Sequence, residues 1–125
     1  MNNYKEEIKA DLVKLPEVIL QAQNNLLLKR KEKDELDLNI NLLLFKKSIE
    51  LEKEYEETKN KELSNIQKRD LKAKEALEKD SNYIEYVAKS DKLDNEIKED
   101  SIRLEFYKNK FKSARSLALL IGDEK

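Results

Sequence analysis

Apolar residues return at steps of three and four along most of the chain, the spacing that lays them on one face of an α-helix. Tyr4, Ile8, Leu12 and Leu15 open the pattern and predict a short first helix over residues 3–14. Pro16 then punctuates it. Proline suits the first turn of a new helix, where its missing N–H is no loss, and it pushes the residue before it out of the α region. A bend is therefore expected at Leu15 and Pro16, followed by a long helix over residues 16–57. In that helix Ile19, Ala22 and Leu26 keep the step, and Leu36, Ile40 and Leu43 resume it. Between them, in the charged run 29–35, the stripe nearly vanishes. The runs 26–28 and 42–45 are broader than one stripe, which calls for burial on more than one side and so for more than one neighbouring helix. About 40 residues rising roughly 1.5 Å each make a rod of about 60 Å, which needs a partner along its length.

Residues 46–80 are the most polar part, and Tyr55, Leu63, Ile66, Leu71 and Leu77 are sparse in it. A polar helix is expected over 62–79. Thr58, Lys59 and Asn60, with Ser64 and Asn65, are the weakest helix formers here, and they allow either a turn near 57–65 or a continuous helix. The clearer break is Asp80, Ser81 and Asn82. All three are good N-caps, and Asn82 with Glu85 has the spacing of a capping box. A C-terminal helix over 82–121 follows. Its heptad-like stripe is Tyr83, Val87, Ile97, Leu104, Phe111, Ala114, Ala118 and Ile121, interrupted by Ser90, Asp94 and Ser101. Gly122, the only glycine, reads as the left-handed residue just past a helix end. No internal repeat and no strand pattern occurs. The expected fold is all-α, a long helical hairpin or coiled-coil-like bundle forming a single domain over 1–125.

Composition sharpens this picture. Of the 125 residues 42% are charged, yet the formal charge is only −1, and 38% are hydrophobic. Such a chain suits long helices or an oligomer better than a compact globule. Residues 117–121 are apolar nearly all round their helix, more than a lone hairpin can cover. Assembly into a homo-oligomer is therefore expected, through Leu104, Phe111, Leu117, Leu120 and Ile121.

The chain has no cysteine and no histidine, which removes thiol nucleophiles, thiolate zinc sites and the commonest acid/base group. Glu52, Glu54, Glu56 and Glu57 lie on a lysine-rich helix and read as a solvated face, whereas acid/base work needs a desolvated carboxyl with a tuned pKa. No glycine-rich loop is present to cradle a phosphate. The expectation is a protein that is not an enzyme, with no catalytic residue, metal or cofactor. The start, MNNYKEEIKADL, lacks the apolar centre of a signal peptide, and no run approaches 18 uninterrupted apolar residues. A reduced, cytoplasmic setting without membrane contact follows as the expectation.

Basic residues cluster in four places: Lys29, Arg30, Lys31 and Lys33; Lys46 and Lys47; Lys68, Arg69, Lys72 and Lys74; and Lys108, Lys110, Lys112 and Arg115. The first three read chiefly as ordinary helix surface. The last is more specific, because residues 103–115 hold five basic residues against one acid, Glu105. Lys108, Lys112 and Arg115 share a helix face beside Leu104 and Phe111. Phosphate contacts next to an aromatic ring on which a base can stack are the usual recipe for binding a single strand. Packing competes for the same rings: Tyr107 and Phe111 fall in register with the core, and Phe106 fits a second packed face with Leu117 and Leu120.

Three segments, QAQNNLLL (21–28), KEALEKDSNYI (74–84) and LEFYKNKFKSARSLALLI (104–121), resemble in pattern and order the UvsY-type recombination mediators of bacteriophages. The resemblance implies a ring-like homo-oligomer in the bacterial host cytoplasm. It would bind single-stranded DNA and help load a RecA-like recombinase onto strands coated by single-strand binding protein. In that family the DNA contacts lie in a short Lys-x-Arg-like stretch. The nearest match here is Lys72 and Lys74 in DLKAKEAL, with Lys46 and Lys47 as the alternative. An alternative function of another class is a helical protein-binding module, such as a phage-type inhibitor or adaptor, that ignores nucleic acid. A coiled-coil spacer is a third.

Overall fold

The computed structural model describes residues 2–123. In order they form α1 (Asn2–Thr58), a 3-10 turn (Lys61–Leu63), α2 (Ile66–Leu77) and α3 (Ser81–Asp123). The described residues contain no strand, so the all-α class holds. None of their helices is long and apolar enough to cross a membrane.

The bend expected at Leu15 and Pro16 is absent: α1 runs through Pro16 as one helix. A proline inside a helix costs about 3 kcal/mol. Continuity keeps Ile8, Leu15 and Leu26 on one buried stripe, with Leu15 only 6% exposed, and that burial outweighs the penalty. Pro16 itself is exposed, so the carbonyl deprived of its helical donor, that of Leu12, lies on the solvent side.

The turn allowed for near 57–65 is present. Past Thr58, Lys59 takes φ 56°, a left-handed conformation usually left to glycine. Its N–H donates to the Tyr55 carbonyl at 2.8 Å, and its ammonium lies 5.3 Å from the Tyr55 ring centre. Asn60 then caps the 3-10 turn by accepting from the Glu62 N–H, and Asn65 caps α2 by accepting from the Lys68 N–H at 2.8 Å. The cap of α3 is Asp80, the first of the three candidate caps. Asp80 Oδ1 accepts from the Tyr83 N–H at 3.1 Å, while Glu85, expected in a capping box with Asn82, pairs with Lys89 at 2.9 Å. Gly122 does not end α3. It is helical with no positive φ, and the helix continues to Asp123.

The chain forms two compact units. The first pairs α1 up to Arg30 with α3 from Asn95. Lys29 Nζ is 2.7 Å from Asp100 Oδ2 and Lys110 Nζ is 3.8 Å from Asp11 Oδ1. Rising numbers on α1 thus meet falling numbers on α3, and the pair is antiparallel. Ile8, Leu15 and Leu26 from α1 are buried with Leu104 and Ala114 from α3. Seven-residue steps mark the seam: Leu15, Ala22 and Lys29 on one helix, Asp100, Tyr107, Ala114 and Ile121 on the other. Each helix therefore carries a charge within its apolar stripe, and the two charges meet. The hydrogen bond from Lys29 to Asp100 raises the lysine pKa above its ordinary value.

The second unit holds α1 from Lys31, the 3-10 turn, α2, and α3 as far as Asp94. Leu63, Ala73, Leu77, Tyr83 and Leu93 make its core. Ala73 is wholly enclosed (0% exposed), because only a methyl group fits where α2 packs most closely. Ser48 Oγ donates to Asp70 Oδ1 at 2.8 Å and ties α2 to α1. Ser90, buried in the seam of α3, donates to Asp37 Oδ1 at 2.6 Å, and Lys33 Nζ donates to Asp37 Oδ2 at 2.7 Å. Both oxygens of one carboxylate are thus satisfied. The Lys33 bond first, and then the Ser90 bond, hold Asp37 below the usual aspartate range.

Two outcomes follow. Pro16→Ala should stabilise the protein by about 1–3 kcal/mol, the helix-interior penalty of proline, read as a rise in urea midpoint; a loss of stability would mean that α1 breaks there. For Asp37 the lowered pKa sets the sign. Its contribution is complete above about pH 3.9, the value of an unfolded aspartate, and is lost as pH falls through the lower folded value. Wild type and Asp37→Asn should therefore differ in urea midpoint at pH 6, and the difference should shrink as pH falls below about 3.9.

Candidate nucleic-acid interface

A surface that meets a polyanion needs cations not already neutralised by nearby carboxylates. The seven basic residues singled out in the sequence divide on this test. In the second unit Lys47 lies 3.2 Å from Glu50. Lys72 lies 3.5 Å from Glu62 and 3.6 Å from Glu75, and the charge of Glu62, then that of Glu75, raises its pKa. Lys46 and Lys74 are exposed, and among the described residues neither has an ion-pair partner. In the first unit Lys108 stands 3.9 Å from Glu105. Lys112 is exposed with no ion pair among the described residues. The Arg115 guanidinium sits 6.0 Å from the centre of the Phe111 ring.

At about 100° per residue, Lys108, Lys112 and Arg115 fall within a sector of roughly 60° on α3. They stay together as expected. The Lys72 and Lys74 pair does not. Two residues apart on a helix is roughly 200°, and Ala73 between them is the most enclosed residue of its unit. Lys72 accordingly turns to the Glu62 and Glu75 carboxylates. Lys74 instead lines a groove of ≈480 Å³ between α1 and α2, with Phe45, Ile49, Ile66 and Arg69. A Lys-x-Lys pair contacting one phosphate run is not what this helix presents.

The aromatic and apolar residues also separate. Leu104 is buried within the first unit, and Phe111 is half-buried there. Leu117 and Ile121 are half-buried, whereas Leu120 is 62% exposed. Tyr107 is half-buried as its register requires. Phe106, expected in a second packed face, is exposed and meets the Tyr107 ring edge-on at 6.0 Å.

Phe45 is the residue that the sequence reading missed. It belongs to a broad apolar run expected to be buried on two sides, yet it is 63% exposed. Leu27 and Leu42, from the two broad runs, are also exposed, as are Val13 and Leu20 in the first unit and Leu38 in the second. The spacing of Val13, Leu20 and Leu27, seven apart, marks a second stripe on α1 that could have been read from the sequence.

Among the described residues no group of acidic side chains is arranged to hold a metal ion. No protein-family model, curated protein or solved structure matches the chain.

The division between tied and untied cations is testable by stability alone. Lys46→Glu, Lys74→Glu and Lys112→Glu should each leave the unfolding free energy within about 0.5 kcal/mol of wild type, as for surface changes that break no contact. Lys29→Ala should lower the thermal midpoint clearly, because it leaves Asp100 in the seam, with Glu96 nearby, without its counter-charge. Calorimetry of the four variants checks both halves.

Proposed function

We propose that this protein is a non-enzymatic, oligomeric single-stranded-DNA-binding protein that assists recombination, helping a RecA-like recombinase load onto strands held by single-strand binding protein. The observation that carries the reading is the setting of untied cations beside aromatic rings. Lys74 shares a groove with exposed Phe45 in the second unit, and in the first Arg115 lies over Phe111 with Lys112 three residues away. Cations track the phosphates while rings accept bases, a combination tolerant of sequence. The recombination role rests on the resemblance of the three segments quoted above.

Few untied cations per chain make a weak site. Several copies add avidity without any new contact, and the exposed apolar residues of α1 and the tip of α3 supply surface for assembly. The same exposed leucines support the second reading, a helical module that binds another protein and leaves nucleic acid alone.

Fluorescence anisotropy with labelled oligo-dT separates the two. Binding is expected at about 50 mM salt, with an affinity that falls steeply and log-linearly as salt rises. Absence of binding at that salt sinks the DNA reading in favour of the protein-binding one.

A further inference from the structure

The first unit contains a groove of ≈500 Å³, open to solvent, between α1 and α3. Its depth comes from Ala22. The residues seven before and seven after it in the α1 seam are Leu15 and Lys29, both far larger, so a hollow is left where a methyl group replaces a long side chain. Tyr107 lines the hollow from α3. Gln21 and Asn25, one helical turn apart, stand on the α1 wall, and among the described residues neither amide has a hydrogen-bond partner. Arg103, one turn before Tyr107, stands on the opposite wall.

Three charged residues line the groove: Lys29, Asp100 and Arg103. Its one carboxylate, Asp100, is already bonded to Lys29 at 2.7 Å and lies 3.9 Å from the Arg103 guanidinium. Two cations and one anion line the groove, and Glu96 stands 3.8 Å from Lys29. The groove lined by Lys47, Lys72 and Lys79 in the second unit carries four glutamates, Glu54, Glu62, Glu75 and Glu78, so acids outnumber bases there. The groove beside Phe45 carries Glu52 and Asp70 against Arg69 and Lys74. A ring, two unpartnered amides and an arginine whose pairing with Asp100 is long, at 3.9 Å, meet in the first unit's groove.

We infer that this groove holds one nucleotide of a single strand. The base stacks on Tyr107 over Ala22, its hydrogen-bonding edge meets the amides of Gln21 and Asn25, and its phosphate sits on Arg103. Amides both donate and accept, so the site takes any base. Arginine offers the phosphate two parallel N–H donors, which a lysine cannot. The inference rests on the single-strand reading above and adds a site outside the basic residues on which that reading was built.

The test uses the full chain and oligo-dT carrying 5-iodouracil. Irradiation should cross-link the strand to Tyr107, located by mass spectrometry of the digested adduct. Arg103→Gln, at an exposed position, should weaken oligo-dT binding about fivefold or more. Tyr107→Leu should weaken it about tenfold or more, and Tyr107→Phe, which keeps the ring, should bind as wild type. Circular dichroism melts identify any variant that has lost its fold, and Gln21→Ala with Asn25→Ala, both exposed, provides a further variant that spares the seam. If wild type binds while Arg103→Gln and the double amide variant bind equally well, and the cross-link maps to Phe45 or elsewhere, the groove is not the site and the single-strand reading survives. If wild type binds no oligonucleotide, the single-strand reading itself fails, and the groove assignment with it.

Discussion

Asp100 and Asp37 sit where an uninterrupted coiled-coil seam would place apolar side chains, and each is answered by specific donors on the helix it faces or on its own. In the first unit Lys29 meets Asp100 at 2.7 Å; in the second Ser90 and Lys33 divide the two oxygens of Asp37. These groups are only partly shielded from water, so the net stability they add is modest. Their effect lies in what they forbid. Sliding either helix by one turn would strand a seam carboxylate against leucine or alanine, and an unsatisfied charge in such a position is far more costly than the pair is stabilising. The aliphatic residues supply the drive to pack; the polar positions select the register.

That selection explains how much of the fold could be read in advance. The all-α class and the break before residue 83 follow from periodicity and cap chemistry, and the turn near residue 60 was one of the two alternatives that the weak helix formers there left open. Ser90 was visible only as an interruption of the α3 stripe, and the charged run 29–35 only as a gap in the α1 stripe. Both were in fact the seam continuing in polar form, since Lys29 stands seven residues after Ala22 and Lys33 seven after Leu26. A pattern scored by hydrophobicity alone cannot tell a gap from a charge awaiting its complement on another helix. Pro16 misled for a related reason. Local preference was weighed without the burial of Leu15 and Leu26 on either side, and tertiary packing overrode it.

The candidate site was less legible, because a helical period does not say how wide the buried face is. Phe45 and Leu104 both look like core residues by composition and spacing, yet one faces solvent and the other is buried. What decides is how many helices surround each position, which depends on where α2 and α3 fold back. Likewise Lys72 and Lys74 look equivalent in sequence, but their separation around the helix sends one to a pair of glutamates and leaves the other untied.

A net charge of −1 therefore says little about whether this chain can meet a polyanion. Several of its acids and bases pair with an opposite charge three or four residues away on the same helix, as with Lys47 and Glu50 or Lys89 and Glu85, and such pairs cancel over a distance shorter than the roughly 8 Å that salt leaves unscreened. Of the seven basic residues considered for contact with a polyanion, Lys46 and Lys74 in one unit and Lys112 and Arg115 in the other have no ion-pair partner among the described residues. Two of these, Lys74 and Arg115, stand beside an aromatic side chain.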